Sequence, residues 1–152
     1  MPLARETGLA LQTVNILRGL RKDYERGWIY IPESFCLQAG LTPAQFFLPE
    51  NKQKAIQVVE MLAEKSERHL GYAMTYIKEI PAYHHKMRLA IIWPILFAAR
   101  TVSICRNNLS VLTGEAKITR DEIKKIIRNT SLFGWSNGYL DNYYKYLISI
   151  PH

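Results

Sequence analysis

A chain of 152 residues, 48% hydrophobic and 22% charged, is long enough to bury a core and too apolar to remain disordered. Its 20 Lys and Arg against 13 Asp and Glu leave a net charge of +7, which suits an anionic partner: nucleic acid, a membrane surface or a diphosphate-bearing substrate. The basic residues are dispersed along the chain, which argues against a nucleic-acid-binding arm; that reading would require a steep salt dependence of binding to any duplex.

A first helix is expected from about residue 4 to 23. On a helical projection Gln12, Asn15, Gly19 and Asp23 fall within about 80° of one another, and Arg5 and Gly8 join the stripe. Leu9, Leu11, Val14, Ile16, Leu17 and Leu20 cover most of the remaining surface, so the helix is expected to be buried nearly all round, with a polar seam that needs hydrogen-bond partners. Arg26-Gly27 marks the turn after it, and Trp28–Ile31 is a short extended apolar run.

Pro32 suits the first position of a short helix over Glu33–Ala39, with Gly40 as its C-terminal cap. Thr42-Pro43 opens another short helix, ended by Pro49. Asn51 is placed to cap a long amphipathic helix that runs to about Ile80, with Ile56, Val59, Leu62, Leu70, Ala73, Met74 and Ile77 on its apolar face; Pro81 stops it. The next helix is expected over Tyr83–Leu112, kinked at Pro94 and ended by Gly114. Thr119 and Glu122 form a capping box for a helix to about Asn129. Ser131–Gly138 reads as a loop, and a tyrosine-rich helix over Tyr139–Ile148 closes the chain. The fold class is all-α: a single-domain bundle of five or six helices without a hairpin signal.

Cys36 and Cys105 are far apart and lack metal-ligand spacing, so they read as buried free thiols. The first residues, MPLARETG, hold no apolar signal region, and the longest uninterrupted apolar run, Leu89–Ala99, is eleven residues, too short to span a bilayer. The expectation is a soluble, cytoplasmic chain.

The pattern Gln12-x-x-Asn15-x-x-Arg18, then Asp23, Arg26-Gly27-x-x-Tyr30 and Pro32, resembles the second aspartate-rich motif of the squalene and phytoene synthases. That many fixed positions in so short a stretch make a specific signal. Downstream, Tyr72–Pro81 is similar to the family's Ala-x-x-Tyr-x-x-x-(Ile/Leu)-Pro segment, Arg88 falls where an arginine precedes the apolar Pro-containing helix, and Lys117-Ile118 resembles the Lys-Ile of squalene synthases. Two departures stand out. Gly19 occupies the place of the motif's first aspartate, and Lys22 a place where an acid is common.

The resemblance implies part of an all-α isoprenoid synthase fold, its C-terminal half, from a head-to-head prenyltransferase. Such an enzyme joins two polyprenyl diphosphates, farnesyl diphosphate first among them, towards squalene or a related product. It implies Mg²⁺, with NADPH if reduction follows. Asp23 would be the metal ligand, or else a surface acid facing Lys22 or Arg26. Gln12 and Asn15 would bind diphosphate oxygens or metal-bound water, or join an interhelical polar network. Arg18 would reach a phosphate or pair with a carboxylate of a neighbouring helix. Lys117 would contact the diphosphate or a nicotinamide cofactor's phosphates, or remain solvated. His69, His84 and His85 carry no metal pattern. The upstream half, with the first aspartate motif, is expected in another chain or lost. The chain alone is then inactive, and its uncovered apolar faces favour a homo-oligomer or a complex with a separate N-terminal half. A lipid-like substrate also allows peripheral membrane contact. The rival reading is a non-catalytic helical interaction protein that kept the fold.

Overall fold

The structure, a computed structural model, describes residues 3–151; Met1, Pro2 and His152, to which the sequence assigns no role, lie outside it. Among the described residues seven α-helices follow one another: α1 (Leu3–Glu25), α2 (Glu33–Gln38), α3 (Lys52–Glu79), α4 (His85–Cys105), α5 (Ser110–Thr113), α6 (Arg120–Phe133) and α7 (Asn137–Ser149). There is no strand among the described residues, in keeping with the all-α reading.

Helices α1, α3 and α4 form the centre. α1 lies along α3, both pack on α4, and α6 and α7 cover another side of α4. The core runs through Leu17 and Leu20 of α1, Val59, Leu62 and Leu70 of α3, Ile92, Ile95, Leu96 and Val102 of α4, and Ile126 and Leu140 beyond. α4 is the single described helix long and apolar enough to cross a membrane by length and composition, yet 67% of its apolar window is buried within the bundle. Its hydrophobicity is what a central core helix needs. It passes unbroken through Pro94, whose exposed ring faces outward.

The first helix is not buried nearly all round. One face carries its buried residues, Glu6, Ala10, Thr13, Val14, Leu17 and Leu20, while Leu9, Leu11 and Ile16 are half-buried and Gln12 and Asn15 are exposed. α1 ends at a left-handed Gly27 (φ +79°) that closes a Schellman motif: Gly27 N–H bonds the Tyr24 carbonyl at 2.9 Å and Trp28 N–H the Asp23 carbonyl at 2.8 Å.

Three other expectations need correction. The helix over Tyr83–Leu112 is two helices. Asn107 adopts φ +50°, its N–H is taken by the Glu60 carboxylate, and the Asn108 side chain accepts from Ser110 N–H at 2.9 Å, so the Asn-Asn pair makes a turn that ends α4. The loop over Ser131–Gly138 shrinks to three residues, because α6 continues to Phe133 and Ser136 caps α7 through Tyr139 N–H. The short helix after Thr42 is two 3₁₀ turns, Pro43–Gln45 and Pro49–Asn51; Asn51 holds the expected N-cap position of α3, with its side chain donating to the Gln45 carbonyl instead of bonding the helix.

Cys36 and Cys105 are free and fully buried, as expected, and burial pushes the Cys105 thiol up to about 12. Of the tryptophans, Trp93 packs on the core and donates to Thr130 Oγ1, whereas Trp28 and Trp135 are exposed.

Buried polar staples fix the helix ends. Arg88, 1% exposed, donates to the Ile80 carbonyl at the end of α3, to the Gly134 carbonyl after α6, and to Asn137 Oδ1 at 2.6 Å. The segment Tyr72–Pro81 and Arg88, both read from the family pattern, thus meet in a structural joint. Glu6 of α1 bonds His69 Nδ1 of α3 at 2.6 Å, a role the sequence did not suggest for His69.

Candidate functional site

The C-terminal half of α1 faces a short strap, residues 114–119, that leads from α5 into α6. Gly114 (φ +78°) turns the chain after α5, and a Cβ there would stand 3.4 Å from Arg21 Cβ, so the strap begins pressed against α1. Ala116 is buried and Ile118 half-buried, which anchors the strap and leaves Lys117 between them exposed. Its far end is held by the Thr119–Glu122 capping box. Glu122 also accepts from Arg100 Nε at 2.7 Å, and Arg100 in turn holds the Ile150 carbonyl at the end of α7. Burial alone would raise the Glu122 carboxyl; the Thr119 backbone N–H, hydrogen bonds from Arg100 and Thr119, and the Arg100 charge outweigh it and hold the carboxyl below its usual range.

Between α1 and the strap lies an open polar groove. Asn15, Arg18, Gly19, Lys22, Asp23 and Arg26 line one wall, and Gly114, Lys117, Ile118 and Ile123 the other. At Asn15, Arg18, Ile118 and Ile123 it runs into an apolar groove walled by Leu11, Val14, Pro94, Phe97, Ala98 and Thr101. Along the same face of α1, an adjoining depression holds Gln12, Asn15, Asp23 and Tyr30.

The groove is basic. Arg18, Lys22 and Arg26 recur every fourth residue and so share one face of α1. Among the described residues none of these three, nor Lys117, is in an ion pair, whereas their neighbour Arg21 is paired with Glu25 at 2.7 Å. Arg26 also lies over the Trp28 ring, 5.9 Å from its centroid. The one carboxylate on this wall is Asp23. It leans back along the helix, and a Cβ at residue 19 would fall 2.8 Å from Asp23 Oδ2. What approaches the backbone at Gly19 is therefore the Asp23 side chain itself.

The five residues singled out in the sequence separate into two groups. Asn15, Arg18, Asp23 and Lys117 meet at the polar groove, and Gln12 lies in the adjoining depression, which Asn15 and Asp23 also line. Gln12 and Asn15 form no interhelical network: neither side chain has a hydrogen-bond partner among the described residues, and Arg18 meets no carboxylate of a neighbouring helix. Lys22 and Arg26 were not singled out as ligands; the four-residue spacing with Arg18 was the available signal. Tyr72, 54% exposed, and half-buried Tyr76 line none of these grooves.

Asp23 is the one groove carboxylate that could serve magnesium. Among the described residues no three His, Cys, Asp or Glu side chains converge, and Asp23 stands as a single carboxylate among cations. Mg²⁺ held by one carboxylate would depend on substrate oxygens and water for the rest of its octahedron.

The family model for squalene/phytoene synthase matches residues 1–122. Among curated proteins, the chain is 35% identical over 79 residues to the bifunctional lycopene cyclase/phytoene synthase of Colletotrichum graminicola, covering 52% of this chain and 14% of that one. It is 28% identical over 119 residues to human squalene synthase, covering 78% of this chain and 28% of the relative. To the squalene synthase of Saccharomyces cerevisiae it is 29% identical over 118 residues, covering 78% and 26%. The chain thus spans less than a third of the length of each of these relatives.

Proposed function

Because the chain belongs to the squalene/phytoene synthase family, we propose that it supplies one wall of a prenyl-diphosphate site, as the C-terminal half-domain of a head-to-head prenyltransferase. The observation that carries this reading is the junction of the two grooves. A basic trough suited to a diphosphate opens, at Asn15 and Arg18, into an apolar trough suited to a hydrocarbon tail. Arg18 and Lys117 bind phosphate oxygens, Asn15 donates its amide to them, and Gln12 and Asp23 face the part of the site that a second wall completes. By this reading the substrate is farnesyl diphosphate or a longer homologue, and the product squalene or a relative. NADPH enters only where reduction follows; Lys117 stands with the other cations of the groove and is assigned to the diphosphate.

One wall does not exclude water from a carbocation. The residues of this chain are therefore inactive on their own and work with a complementary half of the site, at a membrane surface where prenyl lipids reside. Any magnesium requirement belongs to that assembled site.

A thermal-unfolding shift with farnesyl thiodiphosphate tests the reading. Ligand at a hundred times its dissociation constant stabilises the fold by about 2.7 kcal/mol. No shift, with the helical signal intact, would move the assignment to a non-catalytic interaction protein of this fold, which Gly19 and Lys22 in place of acids also suit.

A further inference from the structure

We propose that this groove grips a diphosphate directly, by side-chain cations and without a bridging metal ion. The inference rests on the prenyl-diphosphate reading for its ligand and goes beyond it in the mode of binding. A site that holds a diphosphate through Mg²⁺ needs carboxylates to carry the metal, and the metal then neutralises the phosphates. Here the charge pattern is reversed. Four cations, Arg18, Lys22, Arg26 and Lys117, line the groove against the one carboxylate of Asp23. None of the four is engaged in an ion pair among the described residues, so their charge is available to a ligand.

The two departures from the family motif act in the same direction. Lys22 puts a cation on the wall where an acid is common. Gly19 removes a carboxylate and leaves the space into which Asp23 folds, with its Oδ2 2.8 Å from the position a Cβ would take. Guanidinium and ammonium groups on two elements, α1 and the strap, bracket the trough. Arg18 and Arg26 offer paired N–H donors to phosphate oxygens, and Lys22 and Lys117 act as point charges. Asp23 is then a tuning charge that opposes the ligand, not a metal ligand.

Calorimetric titration of the whole chain with inorganic diphosphate and with farnesyl thiodiphosphate, each in EDTA and in excess MgCl₂, tests this. The expected result is binding of both in EDTA, no tighter in magnesium. Lys22→Glu should weaken both by at least about tenfold, about 1.4 kcal/mol. Lys145→Glu, at an exposed position of α7 outside the groove, should leave them unchanged. Asp23→Asn separates the two modes most cleanly: a tuning charge predicts equal or tighter binding in EDTA, by up to about fivefold, and a metal ligand predicts loss. Circular dichroism confirms that each variant is folded.

Binding of both probes only in magnesium, or loss on Asp23→Asn, would overturn the metal-free grip and leave the prenyl-diphosphate reading standing. Inorganic diphosphate bound in EDTA, with the farnesyl analogue no tighter, would support the grip and remove the prenyl tail from the reading. Binding of neither probe in any condition would overturn the grip.

Discussion

Replacing Arg88 with methionine is expected to cost more than any surface change in this chain. The guanidinium is 1% exposed and serves three acceptors, the Ile80 and Gly134 carbonyls and Asn137 Oδ1, with no carboxylate beside it. Burial lowers its affinity for the proton, the direction desolvation dictates for a cation. Methionine keeps an unbranched chain of similar reach and removes every donor. The Ile80 and Gly134 carbonyls left dry cost about 1–3 kcal/mol each, about 2–6 kcal/mol together, while exposed Asn137 turns its Oδ1 to water. Relief of the buried charge returns part of that. The net loss is therefore about 1–3 kcal/mol, a sizeable fraction of the roughly 5–15 kcal/mol that holds a domain together. Lysine at 88 should do no better, since it keeps the buried charge while a single ammonium cannot replace the planar fork across three acceptors. Urea unfolding followed by far-ultraviolet circular dichroism reads both. A methionine variant within about 0.5 kcal/mol of the parent, or a lysine variant equal to it, would refute the idea that Arg88 joins α3, α4 and the α6–α7 turn.

Legibility in the sequence followed the strength of local signals. α1 and α3 were visible because their apolar residues repeat at helical spacing and Gly27 and Pro81 punctuate them. The Thr119–Glu122 box was visible because both of its hydrogen bonds are local, and both are present. The break after Cys105 was hidden because it depends on a long-range partner: the turn at Asn107 is held by Glu60 of α3. The same limit applied at the site. The stripe of Gln12, Asn15, Gly19 and Asp23 was recognisable, but its exposure was not, since half-buried Leu11 and Ile16 flank it as core residues would. Lys117 could be paired with Arg18 only once the strap had folded across α1. Lys22, read as a departure from a motif, became a member of a basic row when seen in the groove.

The capping box should make stability depend on acid. The folded-state Glu122 carboxyl is held below its usual range, so its contribution is complete above the ordinary glutamate range and is lost as pH falls through the folded value. Glu122→Gln should cost about 1 kcal/mol near neutrality and nothing in strong acid; an equal cost at both would refute the linkage. Sedimentation velocity at micromolar concentration should show a dimer or larger species, because Trp28, Ile29 and Tyr30 stand exposed beside the α1 groove; a monodisperse monomer would count against a missing wall supplied by a second copy. Gly19→Asp is the reciprocal test of the charge pattern. The new Cβ would meet Asp23 Oδ2 at 2.8 Å, which a carboxylate end relieves by swinging outward. Aspartate gains only about 0.1–0.3 kcal/mol over glycine in a helix, which repulsion of about 0.2–0.5 kcal/mol between like charges one turn apart offsets, so the fold should be unchanged to within about 1 kcal/mol. Binding should change sign in its metal dependence. With two carboxylates on the wall, diphosphate affinity should fall in EDTA and rise on addition of magnesium, while the parent chain shows neither change. If Gly19→Asp binds diphosphate as the parent does in both conditions, the residue at 19 does not face the ligand and the groove's charge pattern is not what selects it.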